Sequence, residues 1–140
     1  MATRSRIGLR LADDSILSVY HHWDGYPEWL GVTLKTKFNT REKVAELIDG
    51  GDMASCDSND DWDRKELGET APLYYNDRGE KTEPRLDLNE YDYFNNGEEY
   101  AYIFEKDNWT CYKLDGGYGD VGLSFRKVNI PEPESETVAA

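Results

Sequence analysis

The sequence predicts an α+β domain: a mostly antiparallel sheet, two short helices inserted after the first hairpin, and an acidic C-terminal tail. Three observations carry this. Apolar residues alternate at period two in Arg6-Ile7-Gly8-Leu9-Arg10-Leu11, where the pattern marks a strand with one buried face. Tyr26, Leu30, Leu34 and Phe38 recur every four residues, the stripe of a helix. Beyond Ile130 the chain turns to Pro131-Glu132-Pro133-Glu134-Ser135-Glu136, an acidic run read as extended or disordered. At 140 residues there is room for one domain, assigned to 1–128, with the tail at 129–140.

The elements follow in order. Ile16-Leu17-Ser18-Val19-Tyr20-His21-His22-Trp23 returns from the first strand across the polar turn Ala12-Asp13-Asp14-Ser15, which makes a β-hairpin. Asp24-Gly25-Tyr26-Pro27 breaks the strand, and Pro27 suits the first turn of a helix, where its missing N–H is no loss. Asn39-Thr40 caps a second helix with Val44, Leu47 and Ile48 as its inner face, and Gly50-Gly51 ends it. From Asp52 to Gly68 the composition is that of a long loop. Leu73-Tyr74-Tyr75 reads as a short strand and Asn76-Asp77-Arg78-Gly79 as a turn. Leu86/Leu88 and Tyr91/Tyr93 alternate, which suggests short strands or an extended segment. Tyr100-Ala101-Tyr102-Ile103-Phe104 is the clearest strand, with Trp109-Thr110-Cys111-Tyr112-Lys113-Leu114 as its hairpin partner. Val121-Gly122-Leu123-Ser124-Phe125 is a candidate last strand.

Charge is unevenly placed. The chain carries 29 acids against 16 bases, a formal net charge of −13. Residues 1–48 are net +1, residues 49–107 net −12 and residues 108–140 net −2. A chain this acidic is a poor general ligand for nucleic acid or an anionic membrane. No apolar run reaches the roughly 20 residues of a membrane helix, and no secretory leader is evident at the N-terminus. Cys56 and Cys111 fall outside any CxxC motif and read as reduced, buried thiols.

Two constellations are candidates for function. The first is the corner Tyr20-His21-His22-Trp23-Asp24-Gly25-Tyr26-Pro27-Glu28, which holds both histidines of the chain. Adjacent histidines on a strand point to opposite faces, so the pair cannot hold one metal ion. Ser18 shares a face with Tyr20 and His22, but nucleophile, base and orienter are not evidently assembled, and no catalytic residue is assigned. As a binding corner, which also includes Asp24 and Glu28, Trp23 and Tyr26 would stack a base while His22 and Arg78 would meet phosphate. The bland alternative is a structural joint in which Asp24 caps the helix. The second constellation is the acidic, aromatic middle. Asp57, Asp60, Asp61, Trp62, Asp63, Glu90, Asp92, Tyr93, Glu98 and Glu99 form a candidate surface for a protein partner with a basic face. Carboxylates along an extended frame can imitate duplex phosphates. Asp57-Ser58-Asn59-Asp60-Asp61 begins like a calcium loop, but Trp62 and Gly68 stand where glycine and glutamate belong. No cofactor or metal is expected.

The segment His22-Trp23-Asp24-Gly25-Tyr26-Pro27-Glu28, after a strand ending Ser18-Val19-Tyr20, resembles a family of small uncharacterised proteins of tailed phages. Three further stretches resemble it: Glu42-Lys43-Val44-Ala45-Glu46-Leu47-Ile48 with Gly51-Asp52, Tyr75-Asn76-Asp77-Arg78-Gly79-Glu80, and Glu99-Tyr100-Ala101-Tyr102-Ile103-Phe104 with its Trp109 partner strand. The resemblance spans residues 6–115 and implies a viral accessory protein acting in a bacterial cytoplasm. It implies no mechanism. The expected function is therefore non-enzymatic binding of a host or viral macromolecule, as an inhibitor or nucleic-acid mimic. The alternatives are a nucleotide-signal binder or minor hydrolase at the corner, and a minor virion component.

Overall fold

In a computed structural model of the chain, described for residues 3–58, 71–95, 97–115 and 124–132, eight strands form one mixed sheet. β1 (Ser5–Arg10) and β2 (Ile16–His21) are the expected hairpin, with Ile7 opposite Val19 and Arg6 opposite Tyr20. The turn closes by Leu11 N–H donating to the Ser15 carbonyl, with Asp14 at φ 70°. A π-helical turn at Pro27–Gly31 runs into α1 (Val32–Lys37), and α2 (Arg41–Asp49) follows. Thr40 caps α2 by accepting from Lys43 N–H. Next come β3 (Met53–Ser58), β4 (Ala71–Tyr74), a 3₁₀ turn at Tyr75–Arg78, β5 (Arg85–Asp87), α3 (Glu90–Phe94), β6 (Tyr100–Glu105), β7 (Asn108–Asp115) and β8 (Ser124–Val128).

The sheet order is β4-β3-β2-β1-β6-β7-β8, with β5 pairing beside β3 on the outer edge of β2. Five of the strand pairings are antiparallel; β1/β6 and β2/β3 are parallel. Met53–Ser58, expected as loop, is a strand. Its Met-Ala-Ser-Cys-Asp-Ser composition is weakly β-forming, and it is held by pairing with β4 through two register shifts. The 85–94 segment, expected as extended, divides into β5 and α3. Asn89 accepts from Asp92 N–H and starts the helix.

Each face of the sheet carries its own core. On one face Ile7, Leu9, Val19, Tyr102, Phe104, Trp109 and Cys111 pack with Leu30, Leu34, Val44, Leu47 and Ile48. Trp109 Nε1–H donates to the Phe38 carbonyl, 2.8 Å, and ties β7 to the end of α1. On the other face Tyr93 and Phe94 of α3 pack with Ile16, Ala101, Ile103 and Leu114. β1 is therefore buried on both faces rather than on one. Gly8 explains the close fit: a Cβ there would lie 2.8 Å from the Tyr93 hydroxyl and 2.8 Å from Ile16 Cγ2. The packed body extends past β8, because Ile130 is buried against Gly31. Residues 133–140 of the expected tail lie outside the described residues.

Candidate functional site

The corner is built around two histidines with opposite fates. His21 is fully buried. Its Nε2 accepts from Cys56 N–H at 3.1 Å, which leaves the ring proton on Nδ1, 3.4 Å from Ser5 Oγ. Burial pushes its pKa down to about 3, so it is a neutral structural group. His22 lies on the opposite face, its Nδ1 2.7 Å from the Tyr20 hydroxyl and its ring edge-on to Trp23 at 4.6 Å. Trp23 is 47% exposed.

The rest of the corner is a joint. Asp24 takes φ 55° and does not cap the helix, whose N-cap position is Tyr26 without a side-chain hydrogen bond. Gly25 donates to the Thr3 carbonyl and accepts from the Tyr102 hydroxyl at 2.8 Å. A Cβ on Gly25 would lie 2.4 Å from Ser5 Oγ, so glycine is required by close approach. Tyr26 is half-buried, Pro27 is buried and Glu28 is exposed. The Arg78 side chain lies outside the described residues.

The acidic constellation does not form one surface. Asp57 pairs with Lys37 at 2.9 Å beside β3. Glu90 pairs with Arg10, which also holds Glu105 at 3.1 Å. Glu99 accepts from Arg4 N–H at 3.1 Å. Asp92 is exposed at α3. Tyr93, expected on the surface, is fully buried and donates from its hydroxyl to the Tyr102 carbonyl, 2.7 Å. Tyr91 and Asp92 face outward while Tyr93 and Phe94 face the sheet, a consequence of helical rather than extended backbone. Asp60, Asp61, Trp62 and Asp63 lie outside the described residues. What remains is a compact strap, β5–α3. There Leu86 (53%), Leu88 (73%) and Tyr91 (57%) are exposed among Asp87, Glu90 and Asp92. Phe125 extends the apolar surface, packing on Phe94 at 4.6 Å while 46% exposed.

A third group was not anticipated. Glu98, expected on the surface, turns inward, and its Oε1 is buried without a hydrogen-bond partner. Burial outweighs the attraction of Arg6, Arg85 and Arg4 and pushes its pKa up to about 7. Arg6 is 7% exposed and spends its hydrogen bonds on Ser18, Nε to Oγ at 2.9 Å and Nη2 to the carbonyl at 3.2 Å. Burial and nearby Arg85 lower its pKa. Asp52 accepts from Tyr20 N–H at 2.9 Å, filling the gap on the edge of β2 between β5 and β3. A carboxyl titrating near neutrality suits proton transfer. Here the oxygen is enclosed and without a hydrogen-bond partner among the described residues. The alternation of Arg6, Gly8 and Arg10 was the available signal for this cluster.

Among the described residues no group of three His, Cys, Asp or Glu side chains is placed to hold a metal ion, and no helix is long and apolar enough to cross a membrane. Comparison of the chain with family models, with curated proteins and with solved structures finds no match.

Proposed function

We propose that this chain is a non-enzymatic phage accessory protein that binds a basic macromolecular partner in a bacterial cytoplasm through the β5–α3 strap. The observation that supports this is the exposure of Leu86, Leu88 and Tyr91 within six positions, interleaved with Asp87, Glu90 and Asp92. Clustered exposed apolar side chains mark interaction sites, and tyrosine offers rigid contact area. Asp92, exposed and in no ion pair among the described residues, adds a charge that favours a partner of opposite sign and speeds encounter. The phage assignment rests on the resemblance at His22–Glu28.

The test is affinity capture from bacterial lysate with the wild-type chain and a Leu88→Ser/Tyr91→Ser/Asp92→Asn variant. A partner retained at low salt, released at high salt and lost with the variant is expected. A partner retained equally by both chains would place binding elsewhere. The exposed Trp23, edge-on to His22, favours a second reading in which the corner takes a small aromatic ligand such as a nucleotide. A thermal shift with nucleotides that His22→Ala abolishes would support that reading.

A further inference from the structure

On the helix-covered side a groove runs between the C-terminal half of α2 and β4. Phe38, Leu47, Pro72 and Tyr74 give it an apolar, partly aromatic floor, and Glu46 and Asp49 rim it. The Tyr74 ring is fixed at two places. Its hydroxyl donates to the Leu47 carbonyl at 2.7 Å. Its ring lies directly against Gly50, where a Cβ would fall 2.2 Å from a ring carbon.

Among the described residues the side-chain charges acting on this ring have one sign. Glu46, Asp49 and Asp77 all act on the Tyr74 hydroxyl, which burial and these carboxylates push up to about 12. None of the three forms an ion pair among the described residues. Four acids elsewhere are matched within the chain: Asp57 by Lys37, Glu90 and Glu105 by Arg10, and Asp87 by Arg85. The groove also adjoins the C-terminal end of α2, where the helix dipole adds partial negative charge.

An aromatic floor under unpaired carboxylates fits a flat cation with an apolar stem. Guanidinium stacks on aromatic faces and bonds carboxylates through a planar fork, and its stem covers apolar surface. We propose that this groove receives an arginine side chain from the protein partner. The proposal rests on the reading of a basic partner but not on the strap: the groove is a separate contact whose carboxylates are unpaired, whereas Glu90 and Asp87 of the strap are neutralised within the chain.

The experiment titrates the ¹⁵N-labelled full chain with acetyl-Gly-Arg-Gly-amide and with its citrulline and lysine counterparts. Amide shifts at Leu47, Gly50 and Tyr74, with Leu88 and Tyr91 unmoved, are expected for the arginine peptide. Lysine should bind more weakly and citrulline should not shift these amides. Glu46→Gln/Asp49→Asn, at exposed positions, should weaken the arginine peptide by about fivefold, the worth of two exposed ion pairs. Equal shifts from the citrulline peptide would overturn the proposal, because the groove would then be reading shape and not charge. Free arginine binding as tightly as the peptide would also overturn it, by pointing to a small-molecule site. Loss of partner capture in the strap variant with peptide binding intact would support the groove as a separate contact. Peptide binding absent while the strap still captures its partner would remove the groove and leave the strap reading standing.

Discussion

The two faces of the sheet solve burial in opposite ways. The helix-covered face is apolar, and its single histidine, His21, is kept neutral with both ring nitrogens facing partners. The strap-covered face buries Arg6 and Glu98 near each other without closing an ion pair within 4.0 Å among the described residues. His21 on one face and Glu98 on the other are titratable groups whose charged forms burial disfavours, and they are of opposite type. The consequence is opposite pH dependence from the two faces.

The largest effect should come from the apolar face. Ile7→Ala removes a fully buried side chain from the centre of the main core and should cost about 2–5 kcal/mol in chemical denaturation. A loss below 1 kcal/mol would mean that Ile7 is not enclosed at the centre of the helix-side core.

The second effect separates the faces by pH. Glu98 has a folded pKa of about 7 against an ordinary 4.5, so between those values the folded state holds the extra proton and stability falls as pH rises. His21 has a folded pKa of about 3 against 6.5, so between those values the unfolded state holds the extra proton and stability rises with pH. The two nearly cancel from pH 4.5 to 6.5. Glu98→Gln removes the carboxyl's contribution, and its stability relative to wild type should climb by about 3 kcal/mol between pH 4.5 and 7. A flat difference would show that Glu98 is solvated.

Gly8→Ala probes the close fit of the strap. The added methyl meets Tyr93, Ile16 and the Tyr102 carbonyl, and should cost about 1–3 kcal/mol by equilibrium unfolding. Its amide-exchange signature should be faster opening of 90–94, with α2 unaffected; uniform acceleration would mean that the faces unfold as one. The smallest effect is Arg10→Gln, which releases Glu90 and Glu105 at a partly exposed position and should cost about 0.5–1 kcal/mol, shrinking with added salt.

Much of the frame was legible in the residues because strand alternation and helix capping are local. The β1/β2 hairpin, the Thr40 cap and the β6/β7 hairpin each follow from side chains a few positions apart. The 85–94 segment was harder to read: the alternation of Leu86/Leu88 and Tyr91/Tyr93 fits extended backbone, whereas the structure starts a helix at the Asn89 cap. The sites were less legible. His22-Trp23-Asp24-Gly25 looked chemical, and most of it is a joint fixed by the close approach of Gly25 to Ser5. The acids between 49 and 107 looked like one surface, and Lys37, Arg10 and Arg85 divide them.

The sequence alone determined the mixed class of the fold, its main hairpins, the capping of α2 and the charge asymmetry, since each depends on composition or short-range periodicity. Only the tertiary structure decided that β1 lies between β2 and a parallel β6, that Ser-rich Met53–Ser58 is a strand, that Tyr93 and Glu98 turn inward, and that Glu46 and Asp49 share a groove with Tyr74. These facts depend on which surface arrives from a distant part of the chain to cover each face, and no local pattern encodes that arrival.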